Sequence, residues 1–441
     1  MATRNLSKDM ITRSRCVLLF PLPNPSCQPL SEITRYKYIP NSILRNTSIP
    51  LFCIMAQTFG SLLALLLISY LSITMATAAY NVVDFGAKPD GRTDAAKAFL
   101  AAWAAACGSN QPATIIVPSG GFLVSQALFS GPCSNTGMRM FIKGTLMAPA
   151  GYSDSTQWIT IKYVEGLSIY GGRLDGRGQA FWACKNARRS CPYGATSLTI
   201  GQSKNLLLSG IRLVNSELFH MSIFASSGIT LQGATITAPD DSPNTDGIHI
   251  QMSSFVTITG STMRTGDDCI SMGPGSTDVW IENIKCGPGH GISVGSLGGE
   301  AQEAGVQNIT VRAVEFTGTQ NGLRIKTWAK PSNGFVKGVT FEHAVMKNVQ
   351  NPIVVDQNYC PGTVNCPGPS SGIKISQVKF NDVHGTSATQ VAVKLDCSPS
   401  NPCTGIELQD IKLTYQNERS LSYCKNVKGT ASGVMIPSSC L

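Results

Sequence analysis

From Leu206 onward the chain keeps returning to one pattern: alternating apolar and polar positions, a Gly-rich or polar turn, then a second short alternating stretch. LLLSGIRL (from Leu206) is followed by ITLQGATI (Ile229), VTITGSTM (Val256) and VWIENIKC (Val279). Then come ITVRAVEF (Ile309), VTFEHAVM (Val339), IKISQVKF (Ile373) and IELQDIKL (Ile406). LSIYGGRL at Leu167 is an upstream copy, ahead of an insertion holding Cys184 and Cys191. The steps from Leu206 run 23, 27, 23, 30, 30, 34 and 33 residues. A period of two marks strands with one buried face. Irregular all-β repeats of this length predict a parallel β-helix, each coil stacked on the next at about 4.8 Å. A propeller or sandwich would need closely spaced hairpin turns, whose signals are scarce here.

The first coil of such a solenoid would expose apolar core and unpaired strand edge. TDAAKAFLAAWAAAC (93–107) carries Phe99, Leu100 and Trp103 on a helical pattern, with Thr93 as the expected N-cap. The fold class expected is all-β: a single-stranded parallel β-helix with an N-terminal capping helix.

Aligning the second strand of successive coils brings distant residues together. GIHIQ (247–251), CISMG (269–273), GISVG (291–295), GLRIK (322–326) and PIVVD (352–356) form one register. The residues just before them are Asp246, Asp268, His290, Asn321 and Asn351. Asp, Asp and His therefore stack on three rungs, with Asp267 beside Asp268. If the apolar residues point inward, Arg324 and Lys326 face outward beside the acids. An acidic doublet alone is most often a solvated turn. Calcium is another use for carboxylates, but His290, Arg324 and Lys326 crowd this set and disfavour a metal. Two carboxyls in unlike environments can protonate a glycosidic oxygen and serve its anomeric carbon. Crowding three should keep one protonated. Arg and Lys suit an acidic sugar, and His290 can modulate an acid. His249 has a minor place, as a turn or packing residue.

Hydrophobic residues make up 42% and charged residues 14%, which excludes a disordered chain. Residues 56–79 carry no charge, contain LLALLLISYLSI and end in small residues. This reads as a signal peptide over residues 55–79, cleaved near Ala78 or Ala79, rather than an anchor helix. Residues 1–54, basic and rich in Ser and Pro, are expected to be an upstream extension foreign to the native protein, with a transit peptide as the alternative. They carry seven basic and two acidic side chains, so the remainder holds 28 and 24, a net charge of +4. That would attract a polyanion without demanding nucleic acid. Twelve Cys after residue 55 fall into near neighbours: 107/133, 184/191, 269/286, 360/366, 397/403 and 424/440. In a secreted chain they predict up to six disulfides. Asn308-Ile309-Thr310 is a glycosylation sequon.

SPNTDGIHI (242–250), TGDDC (265–269), GPGHGISVGS (287–296) and RIK (324–326), in that order, resemble the four signature motifs of glycoside hydrolase family 28, the polygalacturonases. The tyrosine of NPIVVDQNYC (351–360) also matches, and NVVDFGAKPDGRTD (81–94) resembles the family's opening. The resemblance runs from about Tyr80 to the C-terminus. It implies a right-handed parallel β-helix that hydrolyses α-1,4-linked galacturonan with inversion and needs no cofactor or metal. By the same resemblance Asp267 is the general acid, Asp246 and Asp268 activate water, and His290 supports the acid. Arg324 and Lys326 bind the galacturonate carboxylate, Tyr359 positions substrate, and Asn244, Gly289 and Gly291 support the site. One tension is that stacked rungs put Asp246 and Asp268 only about 5 Å apart, nearer the spacing of retaining enzymes. DGRTDAAKAFLAAWAAACGS and RIKTWAKPSNGFV resemble plant pollen-type exopolygalacturonases, which implies exo action from the non-reducing end. Endo action, a modified backbone such as rhamnogalacturonan or xylogalacturonan, a β-elimination lyase and an inactive wall-binding solenoid are the competing readings. The expected partner is pectin polysaccharide, met by a secreted cell-wall monomer with no nucleic-acid or membrane partner. Its activity optimum is expected to be acidic, because Asp267 must carry a proton.

Overall fold

The computed structural model describes residues 78–441, apart from 154, 362–365 and 369. The expectations for residues 1–54 and for most of 55–79 lie outside the described residues. The chain winds as a right-handed parallel β-helix with one sheet of 11 strands and one of 19. Among the described residues, every sheet pairing is parallel except a small hairpin between Cys403–Tyr415 and Glu418–Arg419.

Alternation builds the core directly. Leu198, Met221, Ile248, Ile270, Ile292, Leu323, Ile353 and Val393 pair rung to rung as one internal column, each at most 2% exposed. Their neighbours in sequence face outward, where a cleft can form. The larger sheet turns a corner of its own on each rung, and that corner takes a left-handed backbone. One corner column runs Gly210, Gly233, Gly260, Asn283, Ala313, His343, Asp382, Asp410 and Gly433, all with φ between 48° and 70°. Gly and Asn enter that region most easily; Ala313 and His343 are held there by the strands on either side.

The expected repeats pair as aligned, with one exception. Val339 pairs with Val378, not Ile373. The true repeat is VKFNDVHG, five residues later, and Val378 in turn pairs with Ile406. IKISQVKF alternates just as well, so periodicity could not choose between them. The steps there become 39 and 28 residues. Helix α1 spans Ala96–Cys107 and packs on the first-coil strands Ala78–Asn81, Ala113–Val117 and Ala127–Ser130. Phe99 and Trp103 are buried beneath it. Thr93 is not its N-cap: it belongs to the strand Asp90–Asp94, and the Asp94 carboxylate accepts the Ala96 amide at 3.1 Å. All six Cys pairs form disulfides.

Candidate active site

Five strands of the smaller sheet carry the site: β1 (Ile248–Gln251), β2 (Ile270–Met272), β3 (Ile292–Leu297), β4 (Asn321–Trp328) and β5 (Asn351–Tyr359). Their register pairs Ile248, Ile270, Ile292, Leu323 and Ile353 in turn, and Asn321 with Asn351. The column Asp246, Asp268, His290, Asn321, Asn351 follows two residues earlier on each rung. One oxygen from each of Asp246, Asp267 and Asp268 lies within 4.8 Å of the other two.

The three carboxylates have different surroundings. Asp268 is fully buried. Its Oδ1 accepts from Arg324 at 2.7 Å and from the Ser293 hydroxyl at 2.9 Å, and its Oδ2 accepts from Lys326 at 2.7 Å. Arg324 reaches back past the rung of Ser293, to which its Nε donates at 2.9 Å. The two cations expected to face the substrate therefore serve Asp268 first. They are themselves only 8% and 7% exposed. This also gives the cluster the positive charge that a metal would otherwise supply.

Asp246 is 6% exposed and receives the Ser271 hydroxyl on Oδ2 at 2.6 Å. Burial pushes its carboxyl well above the ordinary range, and the charges of Asp267 and Asp268 add to this; Ser271 and Lys326 offset only part of it. Asp267 goes the other way. Burial would raise it, but the hydrogen bond and charge of His290, the charge of Lys326 and the Asp268 amide together hold it below its ordinary value. Crowding does favour one protonated carboxyl, as expected from sequence, but that carboxyl is Asp246 and not Asp267.

His290 Nδ1 lies 2.9 Å from Asp267 Oδ1, and the Asn244 amide donates to Oδ2 at 3.4 Å. Asn244 is left-handed, with φ 56°. The turn bearing His290 fits against the Asp267 turn because it is glycine-rich. A Cβ on Gly291 would meet the Asn321 carbonyl at 2.2 Å, and one on Gly289 the Asp267 carbonyl at 2.8 Å. Tyr359 is half-buried; its ring centre lies 5.3 Å from Lys326 Nζ and 5.3 Å from the Trp328 ring.

Sequence reasoning undervalued His249. Its Nδ1 lies 2.8 Å from the Ser271 hydroxyl that holds Asp246, and its ring stacks on Phe219 at 4.8 Å. Burial lowers the basicity of its imidazole. His220 was missed outright. It is fully buried, its basicity is pushed down to about 4 by burial, and its backbone amide donates to the Asp246 carbonyl at 2.8 Å. The outward row His249, Ser271, Ser293, Arg324 was the available signal, since two hydroxyls there sit beside two acids.

This geometry suits acid-assisted cleavage of a glycosidic bond in an anionic sugar, and comparison with known proteins agrees. The family model "Glycosyl hydrolases family 28" matches residues 107–435. A polygalacturonase of Prunus persica is 53% identical over 86% of this chain and 99% of its own length. An exopolygalacturonase of Platanus acerifolia is 42% identical over 81% and 96%. Among solved structures, an endo-xylogalacturonan hydrolase of Aspergillus tubingensis superposes with a TM-score of 0.69 at 26% identity, covering 81% of this chain and all of the other. With its four motifs gathered on one sheet face and the match running through most of the β-helix, the chain belongs to glycosyl hydrolase family 28.

Proposed function

We infer that this chain is a polygalacturonase, which hydrolyses the galacturonosyl linkages of polygalacturonan. The observation that carries this is the buried Asp268 held by Arg324 and Lys326 next to the Asp267–His290 pair. An anionic sugar and a proton donor are thereby served within one cluster. In the reacting form Asp267 carries the proton and Asp246 is ionised, the reverse of the order their surroundings favour; Asp267, contacted by His290, protonates the leaving oxygen. Asp246 takes a proton from the attacking water, a task suited to its raised basicity. Asp268 assists by orienting the water and by fixing Arg324 and Lys326, whose remaining N–H donors meet the substrate carboxylate; Tyr359 and Asn244 position the sugar.

The cut inverts the anomeric centre and is exo-acting, a mode supported by the likeness to the Platanus acerifolia enzyme. The 4.8 Å clustering of carboxylates lies below the ~6.5–9.5 Å usual for inverters, so stereochemistry is a demanding test. Proton NMR of the first-formed product should show net inversion; retention overturns the water-activating role of Asp246. Galacturonate should appear before any oligomer; early oligomers overturn exo action. Reducing-sugar release from polygalacturonate with unchanged rate in chelator, and no rise in ultraviolet absorbance, separates hydrolysis from elimination. The mature protein is a secreted wall monomer, a single catalytic domain over 80–441, lacking residues 1–54 and the 55–79 signal peptide. Any peptide from residues 1–54 in secreted material contradicts this.

A further inference from the structure

A cavity of about 300 Å³ lined by polar and aromatic side chains opens on the N-terminal side of the cluster. Its place relative to the acids follows from backbone pairing. The Ser197 amide donates to the Phe219 carbonyl at 3.1 Å, and the His220 amide to the Asp246 carbonyl at 2.8 Å. Ser197, in the cavity, is thus two rungs from Asp246, about 10 Å. Half-buried Phe219 lies between them, its ring against His249.

The lining has an unusual charge character for a chain that handles a polyanion. Gln126, Gln157 and Tyr152 stand at the exposed rim. Trp158 forms part of the buried wall, with its indole N–H already donated to the Val124 carbonyl at 2.9 Å. Ser197 and Glu217 lie deeper. Glu217 is the one charged side chain among the described residues that line the cavity. It accepts the amides of Ser153 at 3.1 Å and Ala195 at 2.7 Å, which hold the lining together. Among the described lining residues there is no cation to meet a sugar carboxylate. Amides, hydroxyls and an aromatic face instead suit an uncharged pyranose.

We propose that this cavity is a subsite for an uncharged sugar residue, such as a methyl-esterified galacturonate, on the N-terminal flank of the cleft. The cluster at Arg324 and Lys326 requires a free carboxylate, whereas this flank does not. The chain therefore reads an uneven pattern of charge along its substrate. The inference rests on the polygalacturonase reading above and deepens it.

The test uses purified full-length enzyme with de-esterified polygalacturonate and its partially methyl-esterified form, followed by mass spectrometry of the products. Methyl esters should occur on the residue about two units from the cut in the retained chain and be excluded from the residue released. Gln157→Lys and, separately, Gln126→Lys place a cation at the exposed rim without disturbing the core. Each should lower kcat/KM on the esterified substrate about fivefold relative to the de-esterified one and deplete esters from that side. Esters excluded equally from both sides, or an ester pattern unchanged in both variants, overturns the proposal. No cleavage of de-esterified polygalacturonate would instead overturn the polygalacturonase reading on which it rests.

Discussion

Two faces of this β-helix stack charges at equivalent points on successive rungs, and they do so in opposite ways. On the larger sheet Glu282, Arg312 and Glu342 pair in register, alternating in sign, with Arg312 Nε 3.6 and 3.5 Å from its two partners. All three are partly exposed. On the smaller sheet Asp246 and Asp268 stack acid on acid, and both are buried. Arg324 and Lys326, further along the helix, compensate Asp268, while Asp246 is met by the Ser271 hydroxyl. The first ladder follows from strand spacing alone and is screened by solvent. The second opposes what folding favours and persists only with desolvated, tightly paired partners. Identical architecture thus separates a surface ornament from a reactive centre by burial and by the order of signs.

The strongest break in this contrast is Asp267→Asn. Removing the proposed proton donor should lower polygalacturonate hydrolysis by about a thousandfold, inside the range for general acids, with the thermal unfolding midpoint little changed. Wild-type activity in this variant would refute the assignment. Arg324→Met comes next. It leaves buried Asp268 with Lys326 as its one cation beside the Ser293 hydroxyl, and should cost about 3 kcal/mol of stability in urea unfolding together with loss of activity.

A smaller effect sharpens the role of Asp246. It accepts a proton only when ionised, and its raised value places that step at higher pH than for an ordinary carboxyl. Activity should therefore fall as pH drops through that value. Ser271→Ala deletes a hydrogen bond that favours the ionised form, so the acid limb of the rate profile should move to higher pH by up to about one unit. An unmoved limb would show that Asp246 does not set it. Smallest of all, Arg312→Met on the opposite face should cost at most about 1 kcal/mol, less in high salt, and leave hydrolysis unchanged.

The Asp246–Asp268–His290 column was legible in sequence because strand alternation has period two and rung pairing preserves it. The same regularity hid the slip at Val378, where two adjacent frames alternate equally well. Alternation also says nothing of long side chains. Arg324 crosses a rung to reach Asp268, so its first partner lies two coils away from where the pattern places it. Which of the two acids holds a proton more readily was illegible for a related reason. Asp246 and Asp267 differ in exposure and in whether Ser271 or His290 meets them, and both differences arise from packing. Thr93 lost the capping role because the strand Asp90–Asp94 ran on past it and left Asp94 beside the first turn.

The left-handed corner column has a consequence for how such a cleft can change. Each corner fixes where the next rung begins, while the residues between equivalent corners vary in number, from 23 between Gly210 and Gly233 to 39 between His343 and Asp382. The floor of the cleft is therefore metric, ruled at the strand spacing, and its walls are elastic. Loops can lengthen, shorten or exchange their chemistry without altering the distance from Asp246 to His290. A lineage can revise which substrate fits while inheriting the reaction intact.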